Sequence, residues 1–185
     1  ADLPDQVRLH TIDGKMKMGF KDASGQEVPV EVVVTEAART DTATTADVVF
    51  PAAGAADAGL LNANQSGGSY YIDVLYKTGA GKTLDYASIM DATPEFTATL
   101  AKADGGNVTL TFDSTPQAVA ISVDANGTAQ ETFITAGSQA ELIQKLKNQG
   151  ISRFRYKITY GGFAWKPGTL NVNFTADSWA QSDGS

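Results

Sequence analysis

The chain has 185 residues, of which 42% are hydrophobic and 19% charged, a composition that fits one large or two small folded domains and argues against wholesale disorder. Lysine and arginine number 14 against 21 aspartate and glutamate residues, so the formal net charge is -7 and binding to nucleic acid through phosphate neutralisation is not expected. Cysteine is absent, which excludes disulfides, thiolate zinc sites and cysteine nucleophiles, and no apolar run is long enough to predict membrane insertion.

The chain opens with a predicted β-hairpin. Alternating residues over 7–12 and 15–20 flank Asp13-Gly14, a pair that favours a type I′ turn because both positions take positive φ. Alternating valines then predict a strand over 27–34, and Pro29 places it at a sheet edge because proline cannot donate to a ladder. An open edge can pair with another subunit, which makes four valines candidate assembly residues: Val28, Val30, Val32 and Val34.

The following segment reads as a connection. Residues 35–69, which include a possible short strand at 48–50 and the Ala- and Gly-rich residues 52–64, predict either a long surface excursion or a linker between the hairpin unit and the rest of the chain. The chain therefore divides into residues 1–65, a hairpin unit with a long loop or else part of the same domain, and residues 66–185, a β-sandwich module.

The second part is mostly of period two. A single helical turn is expected at 88–90, and alternation predicts strands over 70–76, 95–100, 108–112, 119–123, 128–135, 153–160 and 169–175. In the last two strands polar residues, including Arg153 and Arg155, alternate with apolar ones, which predicts one wet and one dry face. The fold class is therefore mainly β, an antiparallel β-sandwich of immunoglobulin-like or Greek-key type.

One longer helix is predicted over about 138–149. Ser138 is the N-cap and Glu141 follows three residues later, as in a capping box. An apolar face precedes Gly150, which can take the left-handed position after the helix.

Motifs for catalysis are weak. The segment 79–83 resembles the end of a phosphate-binding loop, but Tyr76 stands where the motif needs its first glycine and no long helix follows. His10 is the only histidine and is expected on a wet strand face, with no nucleophile elbow elsewhere to support a triad. We therefore expect a protein that is not an enzyme.

The sequence offers better candidates for ligand binding than for catalysis. Carboxylates in turns, such as Asp22, either cap the backbone or bind Ca²⁺, which takes carboxylate and carbonyl oxygens. Trp165 and Trp179 either belong to the core, the favoured alternative, or form an exposed strip that stacks sugars. Arg153 and Arg155 are either a solvated strand face or a docking stripe for an acidic neighbour.

Residues 70–96 and 152–184 resemble a repeat module of large secreted bacterial proteins, the RTX-type and related adhesins. The motifs that carry the resemblance are Tyr71-Ile72-Asp73-Val74, Leu84-Asp85-Tyr86-Ala87-Ser88-Ile89-Met90-Asp91, Glu95-Phe96-Thr97, Phe154-Arg155-Tyr156, Gly168-Thr169-Leu170-Asn171-Val172-Asn173-Phe174 and residues 176–184. The resemblance implies a non-catalytic extracellular β-sandwich that is often supported by calcium, with Asp73, Asp85 and Asp91 as ligands. The lysine-containing turn 77–82 departs from the usual acidic one and would repel a cation there.

The sequence thus predicts a structural module of a secreted bacterial surface protein, which is an adhesin, surface-layer or filament scaffold. Its expected partners are neighbouring modules or identical subunits, joined through edge strands by self-assembly. The alternative is a carbohydrate-binding module that takes up a surface glycan through exposed aromatic residues with calcium.

Overall fold

The computed structural model describes the backbone of residues 6–12, 15–21, 30–35, 45–56 and 58–183, and side chains only within residues 30–182. The described chain is mainly β with three helices. The strands are β1 (Gln6–Ile12), β2 (Lys15–Lys21), β3 (Val30–Thr35), β4 (Thr45–Phe50), β5 (Gly54–Ala56), β6 (Tyr71–Lys77), β7 (Lys82–Leu84), β8 (Phe96–Lys102), β9 (Asn107–Thr109), β10 (Gln117–Val123), β11 (Ala129–Phe133), β12 (Arg153–Lys157), β13 (Gly168–Phe174) and β14 (Gln181–Asp183). The helices are α1 (Ala58–Ala63), α2 (Tyr86–Ile89) and α3 (Gln139–Gln149).

Two five-stranded sheets hold most of these strands. Sheet I has the order β11-β10-β12-β6-β4, and sheet II has the order β5-β3-β13-β8-β9. Two smaller ribbons pair β1 with β2 and β7 with β14. The predicted antiparallel pairing holds for all described pairs except β3 and β13, which run parallel.

Both sheets contribute to one buried cluster. The Phe96 ring of sheet II lies edge-on to the Tyr156 ring of sheet I, with 4.8 Å between the centroids. The strand residues of this cluster that are at most 1% exposed are Val30, Ile72, Val74, Tyr76, Ala98, Leu100, Phe154, Tyr156, Leu170 and Val172. They recur at every second position of their strands, so the alternation in the sequence marks the buried face of each sheet.

The predicted hairpin and helix are confirmed. β1 and β2 pair antiparallel with Ile12 opposite Lys15, while the Asp13-Gly14 turn lies outside the described residues. In α3, the Ser138 side chain accepts a hydrogen bond from the Glu141 N–H at 3.2 Å. After α3, Gly150 adopts φ +60° and Ile151 N–H bonds back to Leu146 O, which together form a Schellman motif.

The edge position predicted for residues 27–34 is wrong for residues 30–32, the first half of the described strand. β3 lies between β5 and β13, so the first half of the strand has a partner on both sides. Val30 and Val32 are buried in the core, because an alternating valine pattern fits an interior strand as well as an edge strand. Val34 is half-buried, whereas Val28 and Pro29 lie outside the described residues.

Within the stretch 35–69, which was predicted to be a surface excursion or a linker, residues 54–56 and 58–63 form β5 and α1. Leu61 of α1 is buried in the core, and the Asn62 side chain hydrogen-bonds both the N–H (2.8 Å) and the C=O (2.9 Å) of Trp165. Strands from both sides of residue 65 share sheets, since β4 pairs with β6 and β3 pairs with β13.

In the described part of the chain, no helix combines the length and the apolar character that a membrane crossing requires.

Gly168 is fixed by close approach of the backbone. It stands at the start of β13 with φ +152°, and a Cβ added there would lie 2.1 Å from the backbone oxygen of Ala101. We expect Gly168→Ala to lower the free energy of unfolding by roughly 2–3 kcal/mol, because the backbones of β8 and β13 must separate. Urea unfolding measures this loss. Gly161→Ala, where a Cβ meets open space, should change little, and equal effects of the two variants would contradict this reading.

Candidate functional site

The most unusual feature of sheet I is a carboxylate buried between two arginines. Asp73 of β6 is 0% exposed and Arg155 of β12 is 2% exposed. Arg155 donates from Nε to Asp73 Oδ1 and from Nη2 to Asp73 Oδ2, both at 2.8 Å. Arg153 donates from Nε and Nη2 to Asp73 Oδ2 at 2.9 and 2.6 Å. Both guanidinium groups therefore hold one carboxylate through charge-assisted hydrogen bonds.

Strand register explains how these side chains meet. β12 and β6 pair with Arg155 opposite Asp73 and Arg153 opposite Leu75. Residues opposite each other, and residues two positions along, project from the same side of a sheet. Asp73 therefore lies on the face opposite to Ile72 and Val74, which enter the core. We call this second side the outer face of sheet I.

The cluster extends to the edge of the sheet. Glu131 of β11 accepts a hydrogen bond from Arg155 Nη2 at 2.9 Å and lies 3.8 Å from Arg153 Nη2. We call these four residues the charge cluster: Asp73, Glu131, Arg153 and Arg155. It contains two cations and two carboxylates, so its formal charge sums to zero. This neutrality reduces the free-energy cost of burying Asp73 and Arg155.

Aromatic rings enclose the charge cluster. The Arg155 guanidinium lies 3.7 Å from the centroid of the Tyr71 ring and 5.4 Å from that of Phe133. A register shift in β4 puts Phe50 opposite Asp73, and Phe50 stacks on Tyr71 with 4.8 Å between the centroids. The rings exclude water and add cation–π attraction. Burial alone would lower the pKa of Arg155, but the bonds to Asp73 and Glu131 outweigh it and hold that pKa above its usual range.

The prediction that the arginine-bearing face of β12 is exposed to solvent is therefore wrong. Arg155 is buried and Arg153 is largely covered, so neither is a free docking stripe for an acidic partner. The acidic neighbour that they bind is Asp73 of the same sheet. Sequence alternation identified the face correctly but could not show that the adjacent strand brings a carboxylate to it.

The candidate calcium ligands are not brought together. Asp73 serves the two arginines, Asp85 accepts a hydrogen bond from Ala87 N–H as the N-cap of α2, and Asp91 accepts one from Thr93 N–H. Asp22 lies outside the described residues. Within the described ranges, no group of three His, Cys, Asp or Glu side chains could hold a metal ion. Calcium stays a prediction of the sequence.

The two candidate stacking residues lie in the core. Trp165 is 0% exposed and Trp179 is 3% exposed, so neither presents a ring face to a sugar, and the alternative that assigned them to the core is confirmed. The His10 side chain lies outside the described part of the chain.

A second buried carboxylate lies inside the core. The Glu95 carboxylate, which is fully buried, accepts hydrogen bonds through Oε2 from the hydroxyls of Tyr156 and, at 3.4 Å, Tyr76. These two hydroxyls are 2.7 Å apart. Burial raises the pKa of Glu95 to about 7, although the bond from Tyr156 opposes this rise. Its backbone oxygen also accepts from Thr175 N–H, which ties the end of β13 to the start of β8.

Several residues of these two clusters were not anticipated. Tyr71, Glu95, Glu131 and Phe133 each look like ordinary members of alternating strands. One signal was available for Asp73: an acidic residue interrupts the run from Tyr71 to Tyr76, whose other members are apolar or aromatic. A charge at such a position requires a partner, but the sequence does not show which strand supplies it.

We expect Asp73→Asn to lower the free energy of unfolding by about 3–5 kcal/mol, because it leaves a buried arginine without its carboxylate. Asp47→Asn is the matched control. Asp47 forms an exposed ion pair with Lys77 at 2.9 Å, and its loss should cost less than about 1 kcal/mol. Urea unfolding at neutral pH compares the two variants, and losses of similar size would show that the charge cluster does not stabilise the sheet.

Glu95 makes stability depend on pH. Between its unfolded pKa of 4.5 and its folded pKa of about 7, the unfolded chain releases a proton that the folded chain keeps. The contribution of Glu95 to stability is therefore fully present below pH 4.5, falls as pH rises, and is lost above about pH 7.

Glu95→Gln replaces the carboxyl group by an amide of similar shape, which can still hydrogen-bond the two tyrosine hydroxyls but does not titrate. Relative to the wild type, it should gain about 3 kcal/mol in free energy of unfolding between about pH 4 and pH 8. Urea unfolding across this range measures the difference, with the exposed Glu31→Gln as control. A constant difference between wild type and Glu95→Gln would refute the assignment.

No protein-family model, no curated protein and no solved structure matches this chain. Function is therefore inferred from the contacts, burial and charges of its own residues.

Proposed function

We propose that this chain is a structural module of an extracellular bacterial surface protein, without catalytic activity of its own, and that it associates with neighbouring or identical modules through an edge strand. Sheets I and II would form a β-sandwich of immunoglobulin-like type around their common core. The resemblance of residues 70–96 and 152–184 to modules of secreted adhesins supports the extracellular setting.

One observation carries the proposal: the edge strand of sheet I is bonded to the buried centre of that sheet. β11 is exposed along its length, yet its Glu131 bonds to Arg155, which bonds to Asp73 of β6. A pull on β11 is therefore resisted by side-chain bonds that reach three strands inward, to β6, in addition to its backbone pairing with β10. This hydrogen-bonded connection would hold the edge strand in place when another module pairs with it.

β11 also offers backbone groups to a partner. Asp124 N–H donates to Thr128 O and Ile134 N–H donates to Ala118 O, which fixes the hydrogen-bonded pairs of the hairpin at even-numbered residues. The N–H groups of Ala129, Glu131 and Phe133 consequently point away from β10. A strand of another module can pair there by β-augmentation. This location replaces β3, whose first half already has partners on both sides.

Apolar side chains accompany this free edge. β10 and β11 extend beyond β12, which pairs only with residues 117–119 of β10. Ile121 is 45% exposed and Val123 is 67% exposed on the projecting part. Exposed β-branched residues on a two-stranded projection are an aggregation risk unless a partner covers them, which supports association at this end of the sheet.

Ala129→Pro tests the edge. Proline removes an outward N–H without removing a bond to β10, so we expect the variant to keep its unfolding midpoint and lose self-association. Light scattering after size-exclusion chromatography, over increasing protein concentration, measures association, and Ala129→Val is the control that keeps the N–H. A wild type that stays monomeric throughout, or equal association of all three proteins, would contradict the edge proposal.

The proposed location on the cell surface can be tested separately. On intact cells of the source bacterium, an antibody raised against this chain should bind, and added protease should remove the signal. Labelling that appears only after lysis would rule out the surface location while leaving association through β11 untouched.

A further inference from the structure

The described chain contains an open cavity of about 300 Å³ at the end of sheet I where β12 ends. Its lining combines aromatic, charged and hydroxyl side chains, chiefly Tyr70, Asp113, Lys157, Thr159, Tyr160 and Phe163. Its volume lies at the lower end of the range for small-molecule sites. We propose that this cavity binds a neutral carbohydrate, such as one or two sugar residues of a surface glycan.

Three segments form the cavity, and backbone hydrogen bonds hold them together. Ile158 N–H donates to Tyr70 O, Thr159 N–H donates to Thr111 O, and Asp113 N–H donates to Lys157 O, at 2.8 to 3.0 Å. The polar side chains therefore project from backbone that is already fixed. A preformed site loses little conformational entropy when it binds a ligand.

The aromatic residues present a stacking surface. Tyr160 is 47% exposed, and its backbone oxygen accepts a hydrogen bond from Phe163 N–H at 3.2 Å. Phe163 is buried and packs edge-on against Tyr70 and Trp165, with centroid distances of 5.6 and 5.0 Å. The exposed Tyr160 ring offers the apolar C–H face of a sugar a stacking surface, and the backbone that carries it is held to the packed segment at Phe163. Tyr160 thus takes the role that the sequence gave to the tryptophans.

Two opposite charges border the cavity. Within the described part of the chain, the side chains of Asp113 and Lys157 make no ion pair or hydrogen bond, and the Lys157 ammonium reaches the turn beside Gly67. Asp113 can accept hydrogen bonds from hydroxyls and Lys157 can donate to them. A hydroxyl both donates and accepts, so neighbouring hydroxyls on a sugar satisfy both groups.

The charge pattern favours a neutral ligand. Asp113 would repel an anionic ligand and Lys157 a cationic one. A free α-amino acid would also carry both complementary charges. However, Asp113 lies exposed, where water weakens an ion pair, and the exposed Tyr160 ring adds stacking that a small amino acid cannot use.

Saturation-transfer NMR tests the proposal with four neutral disaccharides, namely lactose, maltose, cellobiose and diacetylchitobiose, and with L-alanine as the amino-acid probe. We expect at least one disaccharide to bind. Asp113→Asn and Lys157→Met should each weaken its affinity about tenfold, the usual effect of one hydrogen bond to a charged group, and Tyr160→Ala should weaken it as well because it removes the stacking ring. Val33→Ala, at an exposed residue of sheet II outside the cavity, should bind like the wild type. Unfolding midpoints confirm that each variant folds.

Three outcomes would overturn the assignment. These are the absence of binding to all four disaccharides, disaccharide binding that the three cavity variants leave unchanged, and binding of L-alanine alone. The site is independent of assembly through β11, since the Ala129→Pro variant should bind the same disaccharide with the same affinity. Loss of either property thus leaves the other to be judged separately.

Discussion

The structure of sheet I depends on one electrostatic constraint, which is that Asp73 cannot be buried without cations beside it. A lone carboxylate in such a place would pick up a proton or draw in water. Two arginines of the adjacent strand bind it from both sides, and Glu131 balances the second positive charge. This requirement fixes the register of β12 against β6, because a slip by one residue would move both arginines to the core face.

The outer face of sheet I is consequently more than a solvated surface. Tyr71, Phe50 and Phe133 close over the charge cluster, and the edge strand β11 is joined to it through Glu131. Rigidity and a free edge therefore occur in the same sheet, and this is the physical basis for proposing a structural module. The buried Glu95 in the core has a different consequence, since its proton makes the stability of the fold sensitive to pH.

The two proposed binding sites lie at different ends of sheet I. The β10–β11 projection presents backbone groups and exposed aliphatic side chains, which suit another β-strand. The cavity beyond β12 presents an aromatic ring between a carboxylate and an ammonium group, which suits hydroxyl groups. A surface module with both features could hold its neighbours at one position and contact a glycan at another, and neither property requires the other.

Local pattern was sufficient for most single elements. Ser138, Glu141 and Gly150 specify α3 through hydrogen bonds between near neighbours, and alternation predicts β6, β10 and β13 because it depends only on which side of a strand is dry. The local sequence pattern could not predict contacts between segments that are distant in the chain. Alternation cannot distinguish an interior strand such as β3 from an edge strand. The Ala- and Gly-rich segment before residue 65 contains α1, in which Leu61 packs into the core and Asn62 hydrogen-bonds the backbone of Trp165, and the local sequence shows neither contact.

The residues of the candidate site were likewise predictable from the sequence only in part. The sequence by itself determined that Arg153 and Arg155 share one face of a strand and that an acidic residue stands in a strand rich in apolar residues. Only the tertiary structure decided that these charges neutralise one another, that both tryptophans enter the core, and that Tyr160 stays exposed. The reason is that burial and pairing of a charge depend on which strands become neighbours, and that choice is made by the packing of the whole core.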